Sequence, residues 1–102
     1  MKPPVDPKRS GVRAVLREFR LDADPGDCIY HPEESRLTFA CPGCAQWGGV
    51  RCGHPKPAEK PSWDIVSGRP EEPDTLTLAP SIHCQGCCGW HGYLKDGVFE
   101  SC

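Results

Sequence analysis

The sequence predicts a small all-β domain built from zinc-ribbon-like antiparallel hairpins, with long polar loops and an N-terminal arm. Short β-branched and aromatic runs alternate with turn residues along most of the chain. The 12 prolines and 11 glycines make up more than a fifth of the 102 residues, which disfavours long helices. Because the apolar residues amount to only 37%, the core is modest, and the eight cysteines are the candidates for stabilising it.

The length suits one domain preceded by an arm. Residues 1–11 are rich in proline and basic residues and have no apolar periodicity, so we predict a flexible basic arm. Residues 12–102 are predicted to form a single zinc-stapled β domain. Within it, residues 12–21 fit either an amphipathic helix or a short strand, and a turn at Pro25 and Gly26 follows.

The first predicted hairpin pairs residues 28–31 with residues 36–40. Residues 47–52 are predicted to return beside the second of these strands. Residues 53–62 are too interrupted by proline for a regular element, and we expect an exposed polar loop there.

The C-terminal half carries three further strand signals. Residues 63–66 are a short apolar run, and residues 75–79, "TLTLA", have the clearest strand pattern of the chain. Residues 67–74 between them are predicted to form a second polar loop. Asp96 and Gly97 are predicted to form the tip of a β-hairpin.

Two C-x2-C turns predict a metal site. Cys41 and Cys44 enclose one turn, and Cys84 and Cys87 enclose another, each with glycine at the third position. Zinc prefers four tetrahedral ligands, with sulfur at about 2.3 Å, and two turns on separate hairpins supply that arrangement. One such turn is weak evidence, whereas two turns beside strand signals are strong evidence.

The second cluster offers more ligands than one ion needs. Spacing alone favours Cys84 with Cys87, and Cys88 with His91 is a C-x2-H alternative that zinc accepts equally. We do not expect Cys87 and Cys88 both to bind one ion, because neighbouring side chains diverge. A second ion is disfavoured by ligand count, its candidate ligands being Cys28, His31, Cys52 and His54.

Cys28 is better explained as a small buried apolar residue, and the three tryptophans as core residues. No signal peptide or membrane-spanning stretch is visible, so we expect a cytoplasmic protein with reduced thiols. A secreted disulfide framework is the alternative use of an even number of cysteines.

The segments "LTFACPGC", "TLTLAPSI" and "CGWHGYLKDGVF" together resemble a small cysteine-rich family of phages, prophages and bacterial genomes. It is a domain family of unknown function whose members are sometimes labelled ammonia monooxygenase. The similarity implies metal ligation by Cys41 and Cys44 of the first turn, with Cys88 and His91 of the second motif. The chain departs from the family in Ala79, where serine is common, and in its additional Cys84 and Cys87.

We therefore predict one structural Zn²⁺ bound by Cys41, Cys44, Cys88 and His91, with Cys84 and Cys87 as alternates. No H-E-x-x-H, G-x-S-x-G, P-loop or deaminase H-x-E signature is present. Because closed four-ligand sites are usually structural, we predict no catalytic residues and no enzymatic activity.

The function predicted from these observations is a non-catalytic binding or structural accessory module of the phage or prophage type. Its partner would be a protein, such as a phage structural protein, reached in the host cytoplasm or the virion through the two polar loops and the arm. One alternative is a nucleic-acid-binding regulator that uses the basic arm with Arg51, Lys56 and Lys60, although the net charge of −2 disfavours it. A metal-dependent enzyme with an open ligand position is the second alternative.

Overall fold

A computed structural model describes residues 3–18 and 21–102, and its regular elements are strands apart from one short 3-10 turn. The all-β prediction is confirmed. The elements, in chain order, are β1 (Val12–Arg13), β2 (Val15–Leu16), β3 (Asp27–His31), the 3-10 turn (Pro32–Glu34), β4 (Arg36–Ala40), β5 (Trp47–Arg51), β6 (Asp64–Arg69), β7 (Glu72–Ala79), β8 (Ile82–His83), β9 (His91–Lys95) and β10 (Val98–Ser101).

The first sheet has the strand order β2-β3-β4-β5. Strands β3 and β4 pair antiparallel, with Cys28 opposite Phe39, and β5 returns antiparallel beside β4. This confirms the first predicted hairpin and its return strand. Strand β2 joins the other edge in the parallel direction, with Leu16 opposite Cys28.

The second sheet has the order β1-β10-β9-β8, and the predicted Asp96-Gly97 hairpin connects β9 to β10. Both turn residues have positive φ, 48° for Asp96 and 75° for Gly97, as a two-residue hairpin turn of the primed type requires. A side chain at Gly97 would also collide with the backbone carbonyl of Asp74. Glycine is therefore needed here both for its conformation and for its size.

Strands β6 and β7 form a two-stranded sheet that extends further than predicted. Residues 67–74 were expected to be a loop, yet β6 continues to Arg69 and β7 begins at Glu72. Register shifts on both sides of Ser67, with Gly68 at a φ of 78°, accommodate the irregular sequence without ending the pairing. Pro73 is fully buried, so this polar-looking segment is anchored to the core.

Residues 12–16 connect the two four-stranded sheets. Ala14 is fully buried between β1, which pairs with β10, and β2, which pairs with β3. Its amide donates to the Gly97 carbonyl at 2.7 Å, and the Val15 amide donates to the Gly26 carbonyl at 3.0 Å. The helix-or-strand ambiguity is thus resolved as two short strands for the described part of this segment, while residues 19 and 20 lie outside the described residues.

The core lies between the sheets and adjoins the second cysteine turn. Trp90, Phe99 and Leu94 are fully buried, and the Trp90 and Phe99 rings meet edge to face at 5.9 Å. Cys28 is also fully buried, in keeping with an apolar role. The two other tryptophans, Trp47 and Trp63, are only partly buried.

The described part of the arm, residues 3–11, lies against the first cysteine turn. The Asp6 amide donates to the Gly43 carbonyl at 2.8 Å, and the Arg9 guanidinium donates to the Pro42 carbonyl at 3.0 Å. The Trp90 indole N–H donates to the Arg9 carbonyl at 2.7 Å. These contacts link the N-terminal segment to both the cysteine turn and the core.

Candidate metal centre and serine–histidine pair

Four thiols from two turns lie together. Cys41 and Cys44 come from the turn between β4 and β5, and Cys87 and Cys88 come from the turn between β8 and β9. Their sulfur atoms all lie within 4.8 Å of one another, and the Cys41 and Cys88 sulfurs are 3.7 Å apart. These four cysteines could bind a metal ion.

The turn that contains Cys41 and Cys44 packs closely against the turn that contains Cys87 and Cys88. The Cys41 amide donates to the Gln46 carbonyl at 2.9 Å, the Ala45 amide donates to the Cys41 carbonyl at 2.8 Å, and the Gly43 amide donates to the Cys41 sulfur at 3.4 Å. A Cβ at Gly43 would lie 2.5 Å from the Cys88 sulfur and 2.8 Å from the Asp6 carbonyl oxygen. The glycine of this C-x2-C turn therefore leaves the space that the Cys88 sulfur needs.

The second turn curls around the Cys84 carbonyl, which accepts from the Cys87 amide at 3.4 Å and from the Gly89 amide at 3.0 Å. The Cys84 amide in turn donates to the Trp90 carbonyl at 2.7 Å, which closes the turn where β9 begins. This curvature brings Cys87 and Cys88 into one cluster. The expectation that two neighbouring cysteines would diverge holds for extended backbone and does not hold in this tight turn.

Without a cation, most of these thiols favour their protonated form. Burial, followed by a hydrogen bond with the Cys44 thiol, raises the pKa of Cys87 to about 12, and burial also raises the pKa of Cys88 to about 11. A hydrogen bond with the Cys84 thiol and then burial raise the pKa of Cys41. Burial acts to raise the pKa of Cys44, but the hydrogen bonds that it accepts from the Gln46 backbone and its neighbours lower it overall. Metal binding at this centre would therefore release protons.

The dimensions and donor set fit a soft divalent ion. A tetrahedral ion with sulfur ligands at about 2.3 Å requires sulfur–sulfur separations of about 3.8 Å. The separation of 3.7 Å between the Cys41 and Cys88 sulfurs agrees with that requirement. Four thiolates without a carboxylate are the ligands of zinc or of an iron–sulfur centre rather than of magnesium or calcium.

Three of the four predicted ligands, Cys41, Cys44 and Cys88, lie in this cluster, and Cys87 supplies the fourth thiol. His91 does not join them in the structure. Cys84, one of the alternates, lies beside the four through its contact with Cys41. All eight cysteines are free thiols.

The disfavoured second ion would have needed Cys28, His31, Cys52 and His54. Cys28, Cys52 and His54 belong to neither of the groups of potential metal ligands that lie close together in the described part of the chain. His31 lies instead with Glu33 and Glu34, their ligand atoms within 4.8 Å of one another.

His91 makes a different contact. Its Nε2 lies 2.9 Å from the Oγ of Ser81, a hydrogen bond between the residue that opens β9 and the residue that precedes β8. Among the described residues, no other serine hydroxyl bonds a histidine ring. Ser81 is half-buried and His91 is exposed, so the pair is open to an incoming molecule. A serine hydroxyl within hydrogen-bond reach of a histidine is the geometry of an activated nucleophile.

A second histidine lies beside the pair. His83 is opposite His91 in the β8–β9 register, and the two ring centroids are 4.9 Å apart. The Nδ1 of His83 lies 3.2 Å from the Nε2 of the Gln85 amide. Because an amide nitrogen can only donate, this contact places the proton of a neutral His83 on its Nε2.

The backbone at Ser81 is held by a tryptophan from another segment. The Trp63 indole N–H donates to the Ser81 carbonyl at 3.1 Å. Trp63 also lines a cleft of about 270 Å³ that extends from β5 to Ile82 and His83, next to the serine–histidine pair. The cleft is therefore adjacent to the pair through Ile82 and His83, although neither Ser81 nor His91 lines it.

The sequence of residues 15–102 matches the model of a protein family described as the serine protease of a bacterial ubiquitination-like system (BubE). The chain belongs to this family. No curated protein and no solved structure matches the chain. The resemblance to a phage and prophage family stays a prediction.

Two predictions from the sequence are wrong on this finding. The chain was predicted to be a non-catalytic phage accessory module without enzymatic activity, whereas its family is one of serine proteases in a bacterial system. Ser81 occurs in "APSIH" and not in a G-x-S-x-G elbow, so no short catalytic motif marks it. His91 was predicted to bind the metal because the similarity to the phage and prophage family implies it, and no recognised motif marks Ser81.

Two of the cations assigned to nucleic-acid binding are paired with acids. Lys56 Nζ lies 2.9 Å from a carboxylate oxygen of Asp64, and Arg51 Nε lies 3.7 Å from one of Glu59.

No helix in the described part of the chain is long and apolar enough to cross a membrane.

Proposed function

We propose that this chain is a serine peptidase of a bacterial ubiquitination-like system, with Ser81 as the nucleophile and His91 as its general base. The observation that carries the proposal is the 2.9 Å hydrogen bond between Ser81 Oγ and His91 Nε2. The family to which the chain belongs supports the same chemistry. Neither residue lies among the four clustered thiols, so the two centres have separate tasks.

In the reactive tautomer, His91 carries its proton on Nδ1 and accepts the Ser81 hydroxyl proton at Nε2. Ser81 Oγ then attacks the carbonyl carbon of the scissile amide, and the tetrahedral intermediate collapses as His91 returns the proton to the leaving amine. The resulting Ser81 ester is hydrolysed by a water molecule whose proton passes to His91 and back to Ser81. His91 therefore serves as base and acid in both halves of the reaction.

His83 packs its ring against that of His91, with the centroids 4.9 Å apart. No carboxylate forms an ion pair with His91 among the described residues.

The metal centre is proposed to hold one structural Zn²⁺ through Cys41, Cys44, Cys87 and Cys88. A closed set of four thiolates leaves no position for a water or substrate, which is the arrangement of structural zinc sites. Trp90, in the core, follows Cys88 and Gly89 directly and precedes His91, so the ion fixes the start of β9 that carries the base. We further propose a bacterial cytoplasmic location, where thiols remain reduced.

The proposed substrates are polypeptides that carry the ubiquitin-like modifier of such a system, and the protein partners are the components of the same pathway. The family description supports this assignment. The cleft lined by Trp63, Ile82 and His83, next to Ser81, supports a polypeptide segment as the bound part.

Labelling with a fluorophosphonate probe tests the nucleophile directly. We expect the metal-loaded protein to become phosphonylated at Ser81, and Ser81→Ala to abolish both labelling and cleavage of a fusion in which the modifier precedes a reporter peptide. Because the nucleophile carries the chemistry, the loss in cleavage rate should be at least about 1,000-fold. Ser67→Ala, at an exposed serine of β6, is the matched control and should leave both readouts unchanged.

Equal labelling of Ser81→Ala and the unmodified protein, with the fold intact by circular dichroism, would overturn the assignment. Labelling that maps to another serine by mass spectrometry would do the same.

A further inference from the structure

The cleft beside the serine–histidine pair exists because β5 carries glycine where a side chain would fill it. Gly48 is paired with Phe39, and it lies on the same face of β5 as the buried Val50. An added Cβ at Gly48 would meet no atom within 4 Å. The missing side chain thus leaves open space on the core-facing side of an edge strand.

We propose that this cleft receives an extended, uncharged segment of the polypeptide substrate, with one apolar side chain over Gly48 and the main chain along the edge of β5. The inference rests on the proposed peptidase function, and it adds the chemical class of the segment that is recognised.

The lining of the cleft selects against charge. Its walls are indole rings, glycine backbone, thiols and the side chains of His83 and glutamine, and none of its residues is Asp, Glu, Lys or Arg. A charged side chain placed there would lose hydration without gaining a partner, which is costly. Trp47 and Trp63 provide aromatic surface for an apolar side chain.

The size of the cleft favours a short segment. Its volume of about 270 Å³ is below the range of about 300–1,000 Å³ for sites that enclose a whole small molecule. An extended chain of a few residues, continuing into solvent at either end, fits such a space better than a compact ligand. The folded part of the substrate would remain outside.

The edge of β5 is oriented to pair with that segment. Strand β5 is the last strand of its sheet among the described residues, and the Trp63 amide donates to the Arg51 carbonyl at 2.8 Å. This bond shows that the backbone groups of Arg51 point away from β4. Because strand residues alternate, the backbone groups of Gly49 point the same way and can pair with an added strand.

Two contacts connect this edge to the catalytic pair. Trp63 binds the edge of β5 through its amide and the Ser81 carbonyl through its indole, at 3.1 Å. His83 lines the cleft and lies beside the His91 ring. A segment that enters over Gly48 is therefore led toward Ser81.

The test measures peptide binding to metal-loaded Ser81→Ala protein, which cannot consume the ligand. The probes are N-acetyl-Gly-Leu-Gly-Gly-amide and its Gly-Glu-Gly-Gly counterpart, followed through the indole N–H signals of Trp47, Trp63 and Trp90 by NMR. We expect the leucine peptide to bind at least about 10-fold more tightly and to shift Trp47 and Trp63 but not Trp90.

Gly48→Phe should fill the cleft without disturbing the fold, because the site has space and aromatic residues suit strands. It should weaken leucine-peptide binding at least about 10-fold and slow fusion cleavage by a similar factor. Val66→Phe adds the same bulk at a 62% exposed position of β6, outside the cleft, and should change neither.

Equal binding of the two peptides, no detectable binding, or unchanged binding by Gly48→Phe would each overturn the proposal. Fluorophosphonate labelling of Gly48→Phe keeps the two hypotheses apart. If Gly48→Phe loses peptide binding but Ser81 is still labelled, both the peptide-binding cleft and the peptidase assignment are supported. If peptide binding depends on Gly48 but Ser81 is never labelled, the peptide-binding cleft is supported and the peptidase assignment is refuted.

Discussion

Cys88 and His91 are only three residues apart, yet the structure assigns them to different centres, and single substitutions should separate them. Cys88→Ser removes one of the four clustered thiols, while His91→Gln removes the ring that bonds Ser81 Oγ. The similarity to the phage and prophage family implied that both residues are ligands of one ion. If both residues bound one ion, both variants would lose the metal, whereas the structure predicts metal loss in Cys88→Ser and metal retention in His91→Gln.

For Cys88→Ser, we expect loss of the metal and of the fold. A structural zinc ion contributes about 10–16 kcal/mol of binding free energy in small domains at neutral pH, as much as the whole stability of about 5–15 kcal/mol of a typical domain. Cys41 is buried in the principal core, and Cys44, Cys87 and Cys88 pack against it. Opening the metal centre would thus expose part of the core as well.

For His91→Gln, we expect the metal and the fold to remain. His91 is exposed, and its backbone carbonyl still accepts from the Cys102 amide, so the β9–β10 pairing is retained. Glutamine cannot take the proton from Ser81, and loss of general base catalysis costs about 100- to 10,000-fold in rate. The variant should be a folded, metal-loaded protein with little peptidase activity.

The assay combines metal content by mass spectrometry, far-ultraviolet circular dichroism, the absorption spectrum of the cobalt-substituted protein, and fluorophosphonate labelling. Cys84→Ser is the matched control for Cys88→Ser, because Cys84 contacts Cys41 but lies outside the set of four. It should retain about one metal ion per chain and a four-thiolate cobalt spectrum. Loss of metal in His91→Gln, or full metal content in Cys88→Ser, would refute the reasoning.

Two further predictions concern the fold. Gly97→Ala should lower the free energy of unfolding in urea by about 1–3 kcal/mol, because alanine is strained at a φ of 75° and its Cβ would collide with the Asp74 carbonyl. Gly11→Ala is the control: Gly11 also has a positive φ, but nothing lies near its Cβ, so this substitution should destabilise the protein less. Burial raises the pKa of Cys28 from 9.0 to about 12, so the folded state keeps a proton that the unfolded state loses in this range. The resulting stability is complete below pH 9 and is lost as the pH rises toward 12, by up to about 4 kcal/mol. In metal-loaded Cys28→Ala the decline of unfolding free energy above pH 9 should be shallower, and an identical slope in both proteins would contradict this account.

Local sequence signals were sufficient for most of the fold. Turn residues delimited the β3–β4 hairpin, and Asp96-Gly97 identified the β9–β10 turn, because these preferences depend on few neighbours. The extended β6–β7 pairing was missed because proline and charge in residues 67–74 resemble a loop. Bulges and the burial of Pro73 depend on the rest of the molecule and leave little local trace.

The sequence by itself determined that the chain is an all-β domain with a cysteine cluster that includes Cys41 and Cys44, since a C-x2-C turn creates local geometry; it left open which cysteines of residues 84–88 join them. Only the tertiary structure decided that Cys87 is the fourth clustered thiol and that His91 forms a hydrogen bond with Ser81. The physical reason is that side-chain direction in a turn and across paired strands follows from the backbone path. Cys88 and His91 are only three residues apart along the chain, whereas the curl of the second turn and the β8–β9 pairing direct the Cys88 side chain to the thiol cluster and the His91 side chain to Ser81.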